Sequence, residues 1–250
     1  MTKVRTLLFL ILLCSSMFEA LSQNFEDALA KASGFYNKDR YEMDIQHLLY
    51  SLDGDKLIES QDIVILRDGN KFYTNSYGTE QIRNSDYHVV VNHYSRLVYI
   101  ASLHAEVSDE EKKQQQEIQS DLQKFISLMK ELSPEKQGDE KKNDVQYMGI
   151  KGNSHVYHIT FRGGTYETAD LYFGKRDGKV KKCEYFLRDA VEVSPGVQEK
   201  AKLVIVSKKF KEKGRIDKKR FSTDAIFHVG KDKKVVLTDQ YKEYTPIVEM

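Results

Sequence analysis

The sequence predicts an α+β fold: a large antiparallel sheet that curves on itself, with helices on its concave face. Three observations lead there. Apolar–polar alternation recurs in one short segment after another, glycine-bearing turn dipeptides separate those segments, and two stretches carry a helical period instead. The composition suits a folded chain, with 250 residues that are 40% hydrophobic and include 15 Tyr and 12 Phe. Charged residues make up 31% but sum to a formal net charge of +1, so there is no basic excess of the kind that duplex nucleic acid requires. No nucleic-acid partner is expected.

Residues 1–22 predict a secretory signal peptide. Lys3 and Arg5 precede the apolar run Leu7–Leu13, and Ala20 and Ser22 set up cleavage before Gln23. The run is too short for a hydrocarbon core of about 30 Å. Leu13 stands where a lipid-attachment signal at Cys14 would need a small residue. Residues 23–250 are therefore expected to form one exported, soluble domain. Cys183 is then its only thiol, and the fold must stand without an internal disulfide.

Asn24 to Tyr36 reads as a helix, with Asn24 as N-cap and Phe25, Leu29, Ala32 and Tyr36 on one face. From Arg40 the period changes to two: Tyr41, Met43, Ile45 and His47 alternate with Glu42, Asp44 and Gln46. Asp53-Gly54 and Asp68-Gly69 turn the chain into strands at 56–67 and 70–77, and others follow at 80–84, 87–92 and 97–102. Such short connections impose antiparallel neighbours. Ser108 and Glu111 form a capping box that opens a helical insertion at 108–132, polar at first and then striped by Ile118, Leu122, Phe125 and Met129. Residues 133–144 are a charged linker. Strands resume at 145–149, 155–162, 165–174, 179–188 and 201–210, with Pro195-Gly196 in a loop and shorter strands near 226–229, 234–237 and 244–248. About eleven strands form a sheet large enough to curl, and helices fill the concave side.

The sequence carries no recognisable catalytic constellation. His155 and His158, like His88 and His93, are an odd number apart, so on a strand each pair points to opposite faces and cannot chelate. There is no HExxH, no G-x-S-x-G elbow and no EF-hand series, and Cys183 lacks an activating neighbour. No enzyme activity, metal or cofactor is expected. Two non-enzymatic readings remain open. One is a cavity for an apolar ligand beneath the helices, the other an ordinary filled core whose helices serve as an interaction or sensor module. In the first, alternation puts Met43, Ile45, Ile63, Ile65, Val89, Val91, Tyr157, Ile159 and Phe161 on the concave face, beneath helix 24–36 or 108–132. Arg67 follows Ile63 and Ile65 on the same face, at a strand end, where it either reaches helix-terminal carbonyls or sits solvated beside the Asp-Gly turn.

Several stretches share a likeness. Ile63 to Tyr73 (IVILRDGNKFY), Glu80 to Val91, and Arg96 to Ile100 resemble, in order, the strands of the LolA-like periplasmic lipoprotein carriers. So do Ala169 to Phe173 leading through Arg176-Asp-Gly-Lys to Tyr185, and the late segment Lys218 to Phe221. The resemblance covers most of residues 40–225. It implies an open half-barrel with helices closing the concave side, a periplasmic location, and a lipid or acylated lipoprotein as partner. An inner-membrane release complex and an outer-membrane receptor would be the further partners. In that family an arginine at the end of the second long strand helps hold the helical lid shut. The resemblance places it on Arg67, with Asp68 where the family has proline and with none of the family's tryptophans.

Overall fold

The computed structural model describes residues 25–53, 55–104, 143–212, 216–231 and 234–249. The expected signal peptide, the helix 108–132 and nearly all of the linker fall outside these residues. The chain divides into two compact units. Unit 1 comprises Met1–Tyr36, Leu48–Glu59 and Asp121–Val206, and unit 2 comprises Asn37–His47, Ser60–Ser120 and Ser207–Met250.

The fold is α+β and dominated by one open sheet. Helix α1 spans 25–36. The strands are β1 (Arg40–Ser51), β2 (Leu57–Asp68), β3 (Lys71–Ser76), β4 (Thr79–Arg83), β5 (Tyr87–Asn92), β6 (Leu97–Ser102), β7 (Asp144–Lys151), β8 (Ser154–Thr160), β9 (Tyr166–Gly174), β10 (Val180–Leu187), β11 (Val191–Ser194), β12 (Val197–Glu199), β13 (Ala201–Lys211), β14 (Phe227–Val229), β15 (Val235–Leu237) and β16 (Thr245–Glu249). Twelve of them make the main sheet, in the order β16-β6-β5-β4-β3-β2-β1-β13-β10-β9-β8-β7. The pairs β11–β12 and β14–β15 are separate hairpins. The long strands β1, β2 and β13 pass from one unit into the other.

Two features depart from the sequence expectation. The loop at Pro195-Gly196 is the turn of the β11–β12 hairpin, with Gly196 at φ 77 in the position where a proline-led turn needs a left-handed residue. The last strand, β16, pairs parallel to β6, with Thr245 opposite Leu97 and Glu249 opposite Ala101. The reason is the route: the chain crosses a sheet face before it reaches this edge, so its direction is not set by a tight turn.

The two-residue hairpin β3–β4 shows how turn chemistry fixes register. Tyr77 and Gly78 both have positive φ, 47 and 65, as a two-residue turn matched to strand twist requires. A Cβ on Gly78 would also lie 2.4 Å from the Tyr94 ring. Both features favour glycine there.

Candidate functional site

In unit 1, α1 rests on the sheet through the stripe expected from its period. Phe25, Leu29, Ala32 and Tyr36 are all buried. Opposite them, strand register assembles one apolar face. Tyr147 pairs with Tyr157, Tyr157 with Leu171, Leu171 with Cys183 and Cys183 with Ile205, while Ile159, Ala169, Tyr185 and Leu203 form the next row. The Phe25 ring lies 5.2 Å from Tyr157 and 6.4 Å edge-on from Phe173, so the helix fills this face with its own side chains. Lys179 caps the contact, its ammonium 5.1 Å from the Phe35 ring. Of the residues expected to line a cavity, Tyr157 and Ile159 belong to this face. Phe161, just beyond β8, is half-buried against Tyr166 at 6.2 Å.

In unit 2 the register separates residues that alternation alone had put together. Leu66 pairs with Tyr73, Tyr73 with Ile82, Ile82 with Val89 and Val89 with Ile100, and Val91 pairs with Val98. Ile65 pairs with Thr74, Thr74 with Gln81 and Gln81 with Val90. Paired residues share a face, so Val89 and Val91 lie opposite to Ile63 and Ile65. This corrects the expectation that all four share the concave side. Its cause is phase: β5 is apolar at Val89, Val90 and Val91 alike, and its sequence cannot say which residue faces inward.

The Val89 face is closed by the C-terminal segment. Ile216, Phe221, Ile226, Phe227 and Tyr241 pack there against Tyr73, Ile82, Val89, Val91 and Ile100. Polar contacts fasten the segment. Asn84 donates to the Phe221 carbonyl at 3.2 Å, Arg220 donates to the Tyr73 hydroxyl at 3.0 Å and stacks over its ring, and Thr238 donates to the Ala225 carbonyl at 2.7 Å. The sequence placed strands in this segment but did not show what they cover.

The Ile63 face carries Ile63, Ile65 and Arg67 from β2. The bond from the Gly69 N–H to the Asp39 carbonyl sets β1 against its neighbour β2 so that Tyr41 falls opposite Arg67, which puts the alternating row Tyr41, Met43 and Ile45 on the same side. Met43, Ile45, Ile63 and Ile65 are all buried. Arg67 closes the row: its Nε donates to the Gly69 carbonyl at 3.4 Å and its guanidinium is 3.9 Å from Asp39, in the connector that follows α1. Gly69 also donates its N–H to the Asp39 carbonyl at 2.7 Å.

The Tyr41 hydroxyl is enclosed and has no hydrogen-bond partner within bonding geometry among the described residues. Burial raises its pKa, and the nearby Arg67 guanidinium opposes this in part. Tyr41→Phe should therefore raise stability by about 1 kcal/mol, since it removes a desolvated hydroxyl and keeps the ring. A lower thermal midpoint in the variant would contradict this.

His88, paired to Arg83, is held down to about 4 from 6.5, chiefly by burial and further by the Arg83 guanidinium. Below pH 6.5 the unfolded chain takes up a proton that the folded one refuses until about pH 4, so stability falls across that window as the pH drops. His88→Gln should remove that part of the decline, with parallel stability curves above pH 6.5. Chemical denaturation at stepped pH checks it, and equal slopes in both proteins would contradict it.

The two histidines of β8 have structural partners. His155 meets the Tyr147 hydroxyl at 2.9 Å and His158 the Asp170 carboxylate at 2.7 Å, on opposite faces of β8. Among the described residues no three His, Cys, Asp or Glu side chains gather as a metal site. Cys183 is fully buried and its thiol is pushed up to about 12 by burial, which leaves no thiolate at neutral pH. No helix among the described residues is long and apolar enough to cross a membrane.

No family model and no curated protein matches the chain. Among solved structures it is similar to an uncharacterized conserved protein from Thermus thermophilus, at 8% identity and TM-score 0.41 over 90% of this chain and 99% of that one. It is similar to the Mycobacterium tuberculosis lipoprotein LppX at 12% identity and TM-score 0.38, over 80% and 99% of the two chains. It is also similar to a LolA superfamily protein from Nitrosomonas europaea, at 13% identity and TM-score 0.29 over 80% and 97%.

Proposed function

We propose that this protein is an exported, periplasmic carrier or binder of an apolar ligand, the acyl chain of a lipid or lipoprotein, and acts without catalysis. The Ile63 face carries the reading. Met43, Ile45, Ile63 and Ile65 form an apolar strip that ends in the cationic Arg67, while the C-terminal segment packs on the other face. An acyl chain laid on such a strip gains about 0.8 kcal/mol per buried methylene. Ten methylenes, about 8 kcal/mol together, outweigh the burial of two side chains at about 1.5–3 kcal/mol each, enough to offset the opening of a small cover. The sequence likeness of Ile63–Tyr73 and Ala169–Tyr185 to lipoprotein carriers supports the same ligand class. Delivery between an inner-membrane release complex and an outer-membrane receptor is the role that this likeness suggests.

A second reading, a protein-interaction module on the same fold, draws on edge strand β7, where Met148 and Ile150 are 45% and 50% exposed. Native mass spectrometry of the protein extracted from its own cell envelope separates the two. Co-purifying lipid is expected. A lipid-free protein bound to another polypeptide would favour the second reading and overturn the first.

A further inference from the structure

The same face carries a charge pattern that the apolar strip does not explain. Arg67 pairs with Phe72, Phe72 with Arg83, Arg83 with His88 and His88 with Ala101, so these side chains form one row across β2 to β6 on the Ile63 face. Adjacent strands are about 4.8 Å apart, which puts the two arginines about 10 Å apart at the backbone with Phe72 between them. Arg83 is half-buried, and its side chain makes no hydrogen bond or ion pair among the described residues. The acids on this side stand at the ends of the row. Asp39 is 3.9 Å from Arg67, and Glu249, paired to Ala101 on β16, is held by the Tyr99 hydroxyl. A partly desolvated guanidinium without a counter-charge is costly unless an anion meets it.

We propose that the row Arg67–Phe72–Arg83–His88 binds the anionic headgroup, carboxylate or phosphate, of a single-chain amphiphile whose tail lies along Ile65 and Ile63. The proposal rests on the apolar-ligand reading above and adds the headgroup chemistry. Arg83 supplies a planar pair of donors to two oxygens of the headgroup. His88, neutral above about pH 4, offers a ring N–H without adding repulsion between the cations. Phe72 covers the first methylenes. Arg67, two residues beyond Ile65 on the same strand, sets the boundary between tail and head.

Displacement of a neutral fluorescent alkyl probe tests this, with dodecanoate, dodecyl phosphate and dodecanol as competitors below their micelle concentrations. On wild type, both anions should compete at about tenfold lower concentration than dodecanol. Arg83→Gln should erase that advantage and leave dodecanol unchanged, and Arg83→Lys should restore part of it. Unchanged thermal midpoints confirm that the variants fold. Equal competition by all three compounds on wild type, or an advantage that survives in Arg83→Gln, would overturn the headgroup site and leave the apolar site standing. If inorganic phosphate raises the thermal midpoint as strongly as dodecyl phosphate does, the anion is a free oxyanion and the amphiphile is overturned. A probe that does not bind wild type at all sinks the apolar-ligand reading itself.

Discussion

Phe25→Ala should lower stability by about 3–5 kcal/mol, the range for an aromatic truncated in a packed core. Phe25 is 1% exposed, and its ring is the part of α1 that meets both Tyr157 and Phe173. Its loss leaves a hole under the first turn of the helix, where backbone N–H groups already lack helical partners. The sheet beneath cannot collapse into that hole, because Tyr157 and Phe173 also hold each other edge-on at 5.7 Å. Denaturant melts give the magnitude, and hydrogen exchange gives the place: protection should fall first along 25–36. Phe35→Ala, at the other end of the helix and half-buried, is the control and should cost much less. A loss below about 1 kcal/mol for Phe25→Ala would show that α1 is a surface attachment with little packing energy.

Val89→Asp should be more damaging still. Val89 has no exposed surface and sits among Ile82, Ile100, Phe221 and Tyr241. A carboxylate there has no partner, and burying one unpaired costs several kcal/mol, of the order of the whole stability of a small domain. Protonation relieves part of this. The buried carboxyl's pKa would rise in the folded state, so the variant's deficit should shrink as the pH falls through that raised value and grow as it rises. Val236→Asp is the matched control, since Val236 is 49% exposed on β15. If Val89→Asp folds with near wild-type stability at neutral pH, the C-terminal segment does not seal this face.

The fold was legible where local chemistry acts alone. Asp68-Gly69 and the short gaps between strands set the meander, because a chain that turns within two to five residues can only pair with itself antiparallel. The stripe Phe25–Leu29–Ala32–Tyr36 marked α1 because its period matches one helix face. Three things were hidden. The β11–β12 hairpin is only four and three residues long, too short to show alternation. The parallel β16 depends on where the C-terminal segment crosses the sheet, which no local pattern encodes. The phase of β5 was ambiguous because Val89, Val90 and Val91 are all apolar, and Ile82 and Ile100 on the neighbouring strands decide which way they point.

The candidate site was legible to a similar degree. Ile63, Ile65 and Arg67 share one face of β2, as period-two alternation along a single strand requires. Arg83 was not picked out, and His88 was weighed only as a metal pair with His93, because their meaning comes from register: on the sequence they are two polar residues five apart, separated by a turn. Pairing brings them side by side with Phe72 and one strand short of Arg67. A search for charges in cross-strand register, made after the hairpins had been assigned, would have found the row.

Photo-crosslinking with a diazirine-bearing dodecanoate, followed by peptide mapping, tests the central claim most directly. Saturable label is expected on residues 41–45 and 63–67, with competition by unlabelled dodecanoate and loss of label in Ile65→Asp at a protein concentration where that variant is shown to be folded. Label that does not saturate, or that concentrates on residues 216–249 over the Val89 face, would contradict it.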